Sequence, residues 1–196
     1  MPYTYYAHGL TAVHHLFLDR LVEVLKESGA DVVPDDAAGW TLMRIAWKGE
    51  CGALEVRRAG PDLQVIYGPD APGEEKNTGP LIHFLTLVFI DIDDELRAMT
   101  EGEEEGRLHR GAGATEELRR QLQDAGRELL SVRDEVRQLK ERGEDVSRPE
   151  QLLRRAETLC HEAASDLDAG QNPAALGKAR AVETLLEKVE AGLGEI

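Results

Sequence analysis

Three groups of side chains in this sequence have the types that chemistry needs: histidines, cysteines and a run of carboxylates. His8, His14 and His15 fall at the start of an amphipathic segment, and His83 near the start of a later apolar one. Imidazoles hold zinc when several converge, usually with a CxxC pair or as HExxH on one helix face. The interval between His8 and the His14–His15 pair is neither, so surface and interface histidines are expected, with no metal and no cofactor. The carboxylates Asp91, Asp93, Asp94 and Glu95 come closer to a site. On a helix Asp91, Asp94 and Glu95 share a face, where oxygen ligands could hold Mg²⁺ or Ca²⁺. Neither an EF-hand glycine nor a second acidic pair follows. The cluster reads more simply as the point where an apolar helix emerges into water.

The candidate nucleophiles are Cys51, in an expected turn Gly49–Gly52, and Cys160. A reactive thiolate needs a neighbouring positive charge or a helix N-terminus, and Cys51 has Glu50 closer than Lys48. Cys160 lies beside the apolar stripe of an alanine-rich helix, where a small buried thiol is the ordinary outcome. GxSxG, P-loop and GxGxxG motifs are absent from the sequence. An enzyme would have to assemble its site in three dimensions from Cys51, His14 or His15 and the Asp91–Glu95 cluster. No catalytic residue is assigned, and a non-enzymatic chain is expected.

The elements that would position these groups fall into two parts. Leu10, Val13, Phe17, Leu21, Val24 and Leu25 recur at helical spacing, and Gly29 stops the helix. A polar loop through Pro34, Asp35 and Asp36 follows. Thr41, Met43, Ile45 and Trp47 then alternate with the residues between them, as do Leu54 and Val56, and Leu63, Val65 and Tyr67. These predict three short antiparallel strands. After a Gly/Pro-rich loop, Pro80 opens a helix that is apolar nearly all round, Leu81 to Ile92. Residues 1–100 thus read as an α-β-β-β-α head. Ahead of it, Tyr3, Tyr5 and Tyr6 suit an edge strand, an arm that holds a neighbouring subunit, or packing on the domain's own core.

Residues 101–113, with Glu101, Glu103, Glu104, Glu105 and the glycines 102, 106, 111 and 113, predict a solvated linker. Beyond it, residues 114–196 predict a helical tail. Leu118, Leu122, Ala125, Leu129, Val132, Val136 and Leu139 step by fours and threes, a heptad seam. Gly143 ends that helix. Ser147, Pro149 and Glu150 predict a capping box for a second helix, and Asn172 with Pro173 an N-cap and first turn for a third. The tail is expected to be a coiled coil or a three-helix bundle, and the whole chain α+β.

The chain has 196 residues, 38 acidic and 23 basic, for a net charge of −15. Residues 1–100 hold 16 acidic and 8 basic side chains and the rest 22 and 15, so both halves are acidic. Neither offers the cationic surface that phosphate binding needs, which excludes nucleic acid and anionic membrane as expected partners. Two isolated cysteines and the lack of a signal-peptide pattern at the N-terminus lead to a cytoplasmic expectation. The apolar run containing His83 is too short to span a membrane.

A folded head and a heptad-bearing tail are the means by which chains combine partner recognition with oligomerisation. The expected function is therefore protein–protein interaction, as a scaffold or accessory subunit of a larger complex. Its contacts are expected at Leu118, Leu122, Leu129, Val132, Val136 and Leu139 on the seam. In the head, Phe84 and Phe89 on the apolar helix join them, with Trp40 and Trp47 as anchors. The helix–three-strand–helix order of the first hundred residues resembles that of bacterial type III secretion chaperones. That likeness, one of architecture without a shared motif, implies a client-binding chaperone as the alternative.

Overall fold

The computed structural model describes residues 2–36, 38–69, 79–108 and 112–195. The chain divides into two compact units, Met1–Asp93 and Asp94–Ile196. Unit 1 is a five-stranded antiparallel sheet with helices, and unit 2 is helical.

In unit 1, β1 (Tyr3–Ala7) leads through a single 3-10 turn, Thr11–Val13, into α1 (His14–Glu27). Strands β2 (Asp31–Asp35), β3 (Gly39–Trp47), β4 (Glu50–Ala59) and β5 (Asp62–Pro69) follow as a meander. The order across the sheet is β1-β5-β4-β3-β2, so α1 carries the chain from one edge to the other. Two strands therefore stand outside the three that alternation predicts. The tyrosines form β1, paired with β5 from Tyr3 against Tyr67 to Ala7 against Leu63. The expected loop at Pro34 is β2, an edge strand, where a proline's missing N–H costs no ladder bond. The helix–three-strand–helix order behind the chaperone likeness is accordingly not the order found.

The turns are tight. β3 and β4 join through Lys48 and Gly49, both at positive φ, as a two-residue hairpin with the strands' twist requires. Cys51 is thus in β4 and not in the turn. Every strand sends its buried side chains to one face. Val32, Met43, Ile45, Leu54, Val56, Leu63, Val65 and Tyr67 meet Phe17, Leu21 and Leu25 of α1 and Leu81, Leu85, Phe89 and Ile92 of α2 in that core. Gly52, paired with Ile45 on this face, has no room for a side chain: a Cβ there would lie 2.9 Å from the Gly68 carbonyl oxygen and 3.1 Å from Leu81 Cδ2. Glu50 accepts a hydrogen bond from the Leu81 backbone N–H at 2.8 Å, placing a carboxylate at the N-terminal end of α2.

Helix α2 runs Gly79–Leu108 and contributes residues to both units. Thr100–Leu108 is therefore helix, which overturns the solvated-linker expectation; residues 109–111 lie outside the described residues. Helices α3 (Ala112–Glu141), α4 (Ser147–Asp168) and α5 (Asn172–Gly194) complete unit 2. The expected three-helix tail gains a fourth member, the second half of α2. Its glycines explain why. A Cβ on Gly102 would stand 2.8 Å from Gly177 Cα, one on Gly106 2.7 Å from Pro173 Cα, and one on Gly177 2.6 Å from the Met99 carbonyl oxygen. Gly102 and Gly106 are one turn apart, so both meet α5 and let the two backbones touch.

Two helix starts differ from their sequence signatures. Ser147 bonds to Asp145 at 2.6 Å, and Glu150 pairs with Lys140, so the capping box does not form. Asn172 donates its side-chain amide to Thr115 Oγ1 at 2.8 Å, a tie between α5 and α3 in place of an N-cap.

Candidate interaction surface

Both helical segments of unit 1 lie on the same face of its sheet. The strand alternation that buries the core residues turns the intervening side chains to the other face, on which no described helix of unit 1 packs. The register orders that face in rows. Val33 of β2, Arg44 of β3, Ala53 of β4 and Gly68 of β5 make one. Leu42, Glu55, Ile66 and Thr4 make the next, and Arg57, Gln64 and Tyr6 the third. Val33 is 53% exposed and Tyr6 46%. Leu42, Ala46, Ala53 and Ile66 are half-buried. Five strands about 4.8 Å apart give the surface a width of about 19 Å.

Its electrostatics depart from the rest of the chain. Arg44, Arg57, Glu55 and Asp31 all lie on this face, and Arg57 and Glu55 are paired along the strand. In a chain of net charge −15 this surface has a neutralised ion pair on its middle strand, with the apolar Leu42 and Ile66 on either side of Glu55. The acidity gathers elsewhere, for example in a groove of unit 2 lined by Glu101 and Glu105 of α2 and Glu183 and Glu187 of α5. Arg180 crosses that groove, bonding Glu105 at 3.0 Å and Glu183 at 3.1 Å.

The residues singled out for chemistry are dispersed. Cys51 is exposed and, paired with Ala46, belongs to the face that the helices leave bare. His14 opens α1 on the opposite face. Its pKa is held below the ordinary imidazole value by burial, then by the charges of Arg58 and His15. Arg58 is seven residues from Cys51 along β4, about 23 Å at strand rise. The hypothetical Cys51–His14 or His15–carboxylate site is therefore not brought together. His8 is tied to Asp62 at 3.1 Å, and the Gly9 N–H together with His8 lowers the Asp62 pKa. Burial pushes the Cys160 thiol up, away from a reactive thiolate.

The acidic cluster divides in the same way. Asp93 accepts a 2.7 Å bond from the Tyr5 hydroxyl. Asp94 pairs with Lys188 at 2.6 Å, and Glu95, 1% exposed, with Arg155 at 2.7 Å. Among the described residues no group of three histidines, cysteines or carboxylates is placed to hold a metal ion.

The residues expected to meet a partner are already covered by their own chain. Leu118 and Leu122 pack with Ala163, Leu167, Ala175 and Ala179; Leu129, Val132 and Val136 pack with residues of α4 and α5, and Leu139 lies half-buried beside them. The heptad seam is thus the interface of α3 with its neighbours in unit 2, not the stripe of an exposed coiled coil. Phe89 is fully buried against Tyr5 and Tyr67, and Phe84 stacks on Trp47 with ring centroids 4.2 Å apart. The helix that is apolar nearly all round thus meets residues of β1, β3, β4 and β5. The Trp40 side chain lies outside the described residues.

No protein-family model matches this chain, and no curated protein or solved structure does either. The signal that sequence reading missed was in the strands themselves. Val33, Leu42, Ile66 and Tyr6 are apolar at the outward positions of an alternation whose inward positions are also apolar. Among the described residues no helix is long and apolar enough to cross a membrane.

Proposed function

We propose that this chain is a non-enzymatic protein-binding subunit, an accessory or scaffolding component of a larger intracellular complex, which takes its partner on the bare face of the sheet. One observation carries the reading. Unit 1 places both of its helical segments on one side of a five-stranded sheet and keeps Tyr6, Val33, Leu42 and Ile66 on the other. Apolar side chains set on either side of a central, self-neutralised Arg57–Glu55 pair have the makeup of a protein contact, where apolar anchors supply the affinity and charges the register. The dispersal of Cys51, His14 and the carboxylates supports binding over turnover. Neither phosphate-binding nor membrane-binding chemistry is favoured by a chain of net charge −15 in which Arg57 of the sheet is already paired with Glu55.

The test is retention of the native partner by the full chain, purified from its own cells in wild-type form and as Leu42→Glu/Ile66→Lys. Both substitutions replace half-buried side chains of the bare face, so the fold should persist, as circular dichroism would register. The expected result is a stoichiometric partner on the wild type that is lost from the double variant. A partner held equally by both, or a wild type that carries none, would remove the bare face as the binding surface.

A further inference from the structure

In unit 2 a groove runs between α2 and α5, and its two ends are unlike. At one end Glu101 and Glu105 share a face of α2, and Arg180, Glu183 and Glu187 share a face of α5. Four carboxylates thus meet one guanidinium. Arg180 answers Glu105 and Glu183, whereas Glu101 and Glu187, both exposed, pair with no cation among the described residues. At the other end the groove deepens into a pit of about 170 Å³ between α2, α3 and α5. Leu118 and Leu176 form apolar walls there, and Gly106 and Ala114 leave the space open by their lack of bulk. Glu105 and Arg180 line both ends, so the pit and the acidic stretch are continuous.

We infer that this groove binds a cationic segment of another protein, with one apolar side chain of that segment in the pit and its lysines or arginines on Glu101, Glu183 and Glu187. The carboxylates alone would be a solvated surface; the pit beside them calls for an anchor. A dry cavity of about 150 Å³ holds a benzene ring, so the pit has room for one leucine, methionine or phenylalanine side chain. Charge selects the kind of segment. A chain of net charge −15 repels acidic partners, a second copy of itself included. A free polyamine would satisfy the carboxylates and leave the pit unfilled. Spacing sets the length of the segment. From Leu176 to Glu187 the rise of α5 is about 16 Å, which an extended chain crosses in about five residues. The bonds from Arg180 hold Glu105 and Glu183 in place beforehand, which lowers the ordering cost of binding. The groove lies wholly within unit 2, so it stands independently of the bare sheet face.

The test is fluorescence anisotropy of labelled peptides titrated with the full chain. The probe carries lysines about three to five residues from a single leucine, on either side of it, and its companion has serine in place of the leucine. The leucine probe should saturate and bind roughly tenfold or more tighter than the serine one, as burial of a leucine side chain implies. Glu101→Gln/Glu187→Gln should weaken the leucine probe roughly threefold to tenfold and flatten its salt dependence, because exposed charges are screened over about 8–10 Å near physiological salt. Glu128→Gln/Glu135→Gln, exposed on α3 outside the groove, should leave binding unchanged. Ala114→Leu fills the pit from an exposed helical position, where leucine is well tolerated, and should bring the two probes to equal affinity. Circular dichroism should find all three variants folded, since none alters a buried side chain. A leucine probe that fails to saturate would overturn the assignment. So would wild type binding both probes equally, equal losses in the two glutamine variants, or a leucine preference that survives Ala114→Leu.

Discussion

Helix α3 and the second half of α2 lie in the same unit, yet they are held to it by different physics. α3 attaches through side chains. Its leucines and valines at heptad spacing enter the apolar groove of α4 and α5, and its charged pairs to α4, such as Arg133 with Glu157, are exposed. α2 attaches through its backbone and its charges. Gly102 and Gly106 bring it into contact with α5, and Glu95, Asp94 and Glu105 pair with Arg155, Lys188 and Arg180. A seam of side chains can relax around a change. Two backbones in contact have nothing between them to give way, and a buried carboxylate has few alternatives to its cation.

The largest effect should therefore come from the α2 side. Glu95 is buried, and Arg155 reaches its Oε1 through Nε and Nη2, both at 2.7 Å. Arg155→Ala removes that cation and should destabilise unit 2 by about 3–5 kcal/mol, the usual result of breaking a buried pair from one side. Arg154→Ala, an exposed neighbour, should stay within about 0.5 kcal/mol. Urea denaturation of the full chain separates them. Equal midpoints would mean that the pair contributes no more than a surface contact.

On the α3 side the corresponding contrast is between adjacent leucines. Leu129 is 5% exposed in the core and Leu130 is 56% exposed. Leu129→Ala should cost about 2–4 kcal/mol, from lost transfer energy and the cavity left behind. Leu130→Ala should change stability little. Thermal melts that placed the two variants together would show the seam to be solvated and this packing to be mistaken.

The same division decides what could be read from the sequence. The seam was legible because apolar periodicity records side-chain burial, and Leu118 to Val136 bury as their spacing implies. Periodicity is silent on what covers a stripe, so α4 and α5 remained one option among several. Hydropathy has no term for a backbone contact. Glutamates and glycines from 101 to 106 therefore read as a solvated linker, although the four-residue step from Gly102 to Gly106 was the signal of a packed helix face. β2 was hidden by the devices that protect an edge, Pro34 and its flanking aspartates. The tyrosines of β1 were noticed, but no local pattern says which strand an edge will join. The α+β class was legible, while the five-strand order depends on pairing between Tyr3–Ala7 and β5, some sixty residues apart.

Glycine itself provides the smallest effect and the sharpest form of the contrast, because one substitution should change sign between the two helix contacts. Alanine is favoured over glycine within a helix by about 1 kcal/mol, chiefly through the entropy of the unfolded chain. At Gly126 in α3 an added Cβ would meet no atom within 4 Å. Gly126→Ala should express that preference and stabilise the chain by about 0.5–1 kcal/mol. At Gly177 in α5 the same methyl would lie 2.6 Å from the Met99 carbonyl oxygen and 2.8 Å from Glu103 Cγ. The Glu103 side chain can rotate away, but the α2 backbone cannot move without separating the helices. Overpacking of this kind costs about 1–3 kcal/mol. With contacts this short the cost should lie above the helical gain, so Gly177→Ala should leave a net loss of up to about 2 kcal/mol. The two variants should therefore melt on opposite sides of the wild type. If Gly177→Ala melted above it instead, α2 and α5 would not be in backbone contact, and the distinction between the two kinds of helix attachment would fail with them.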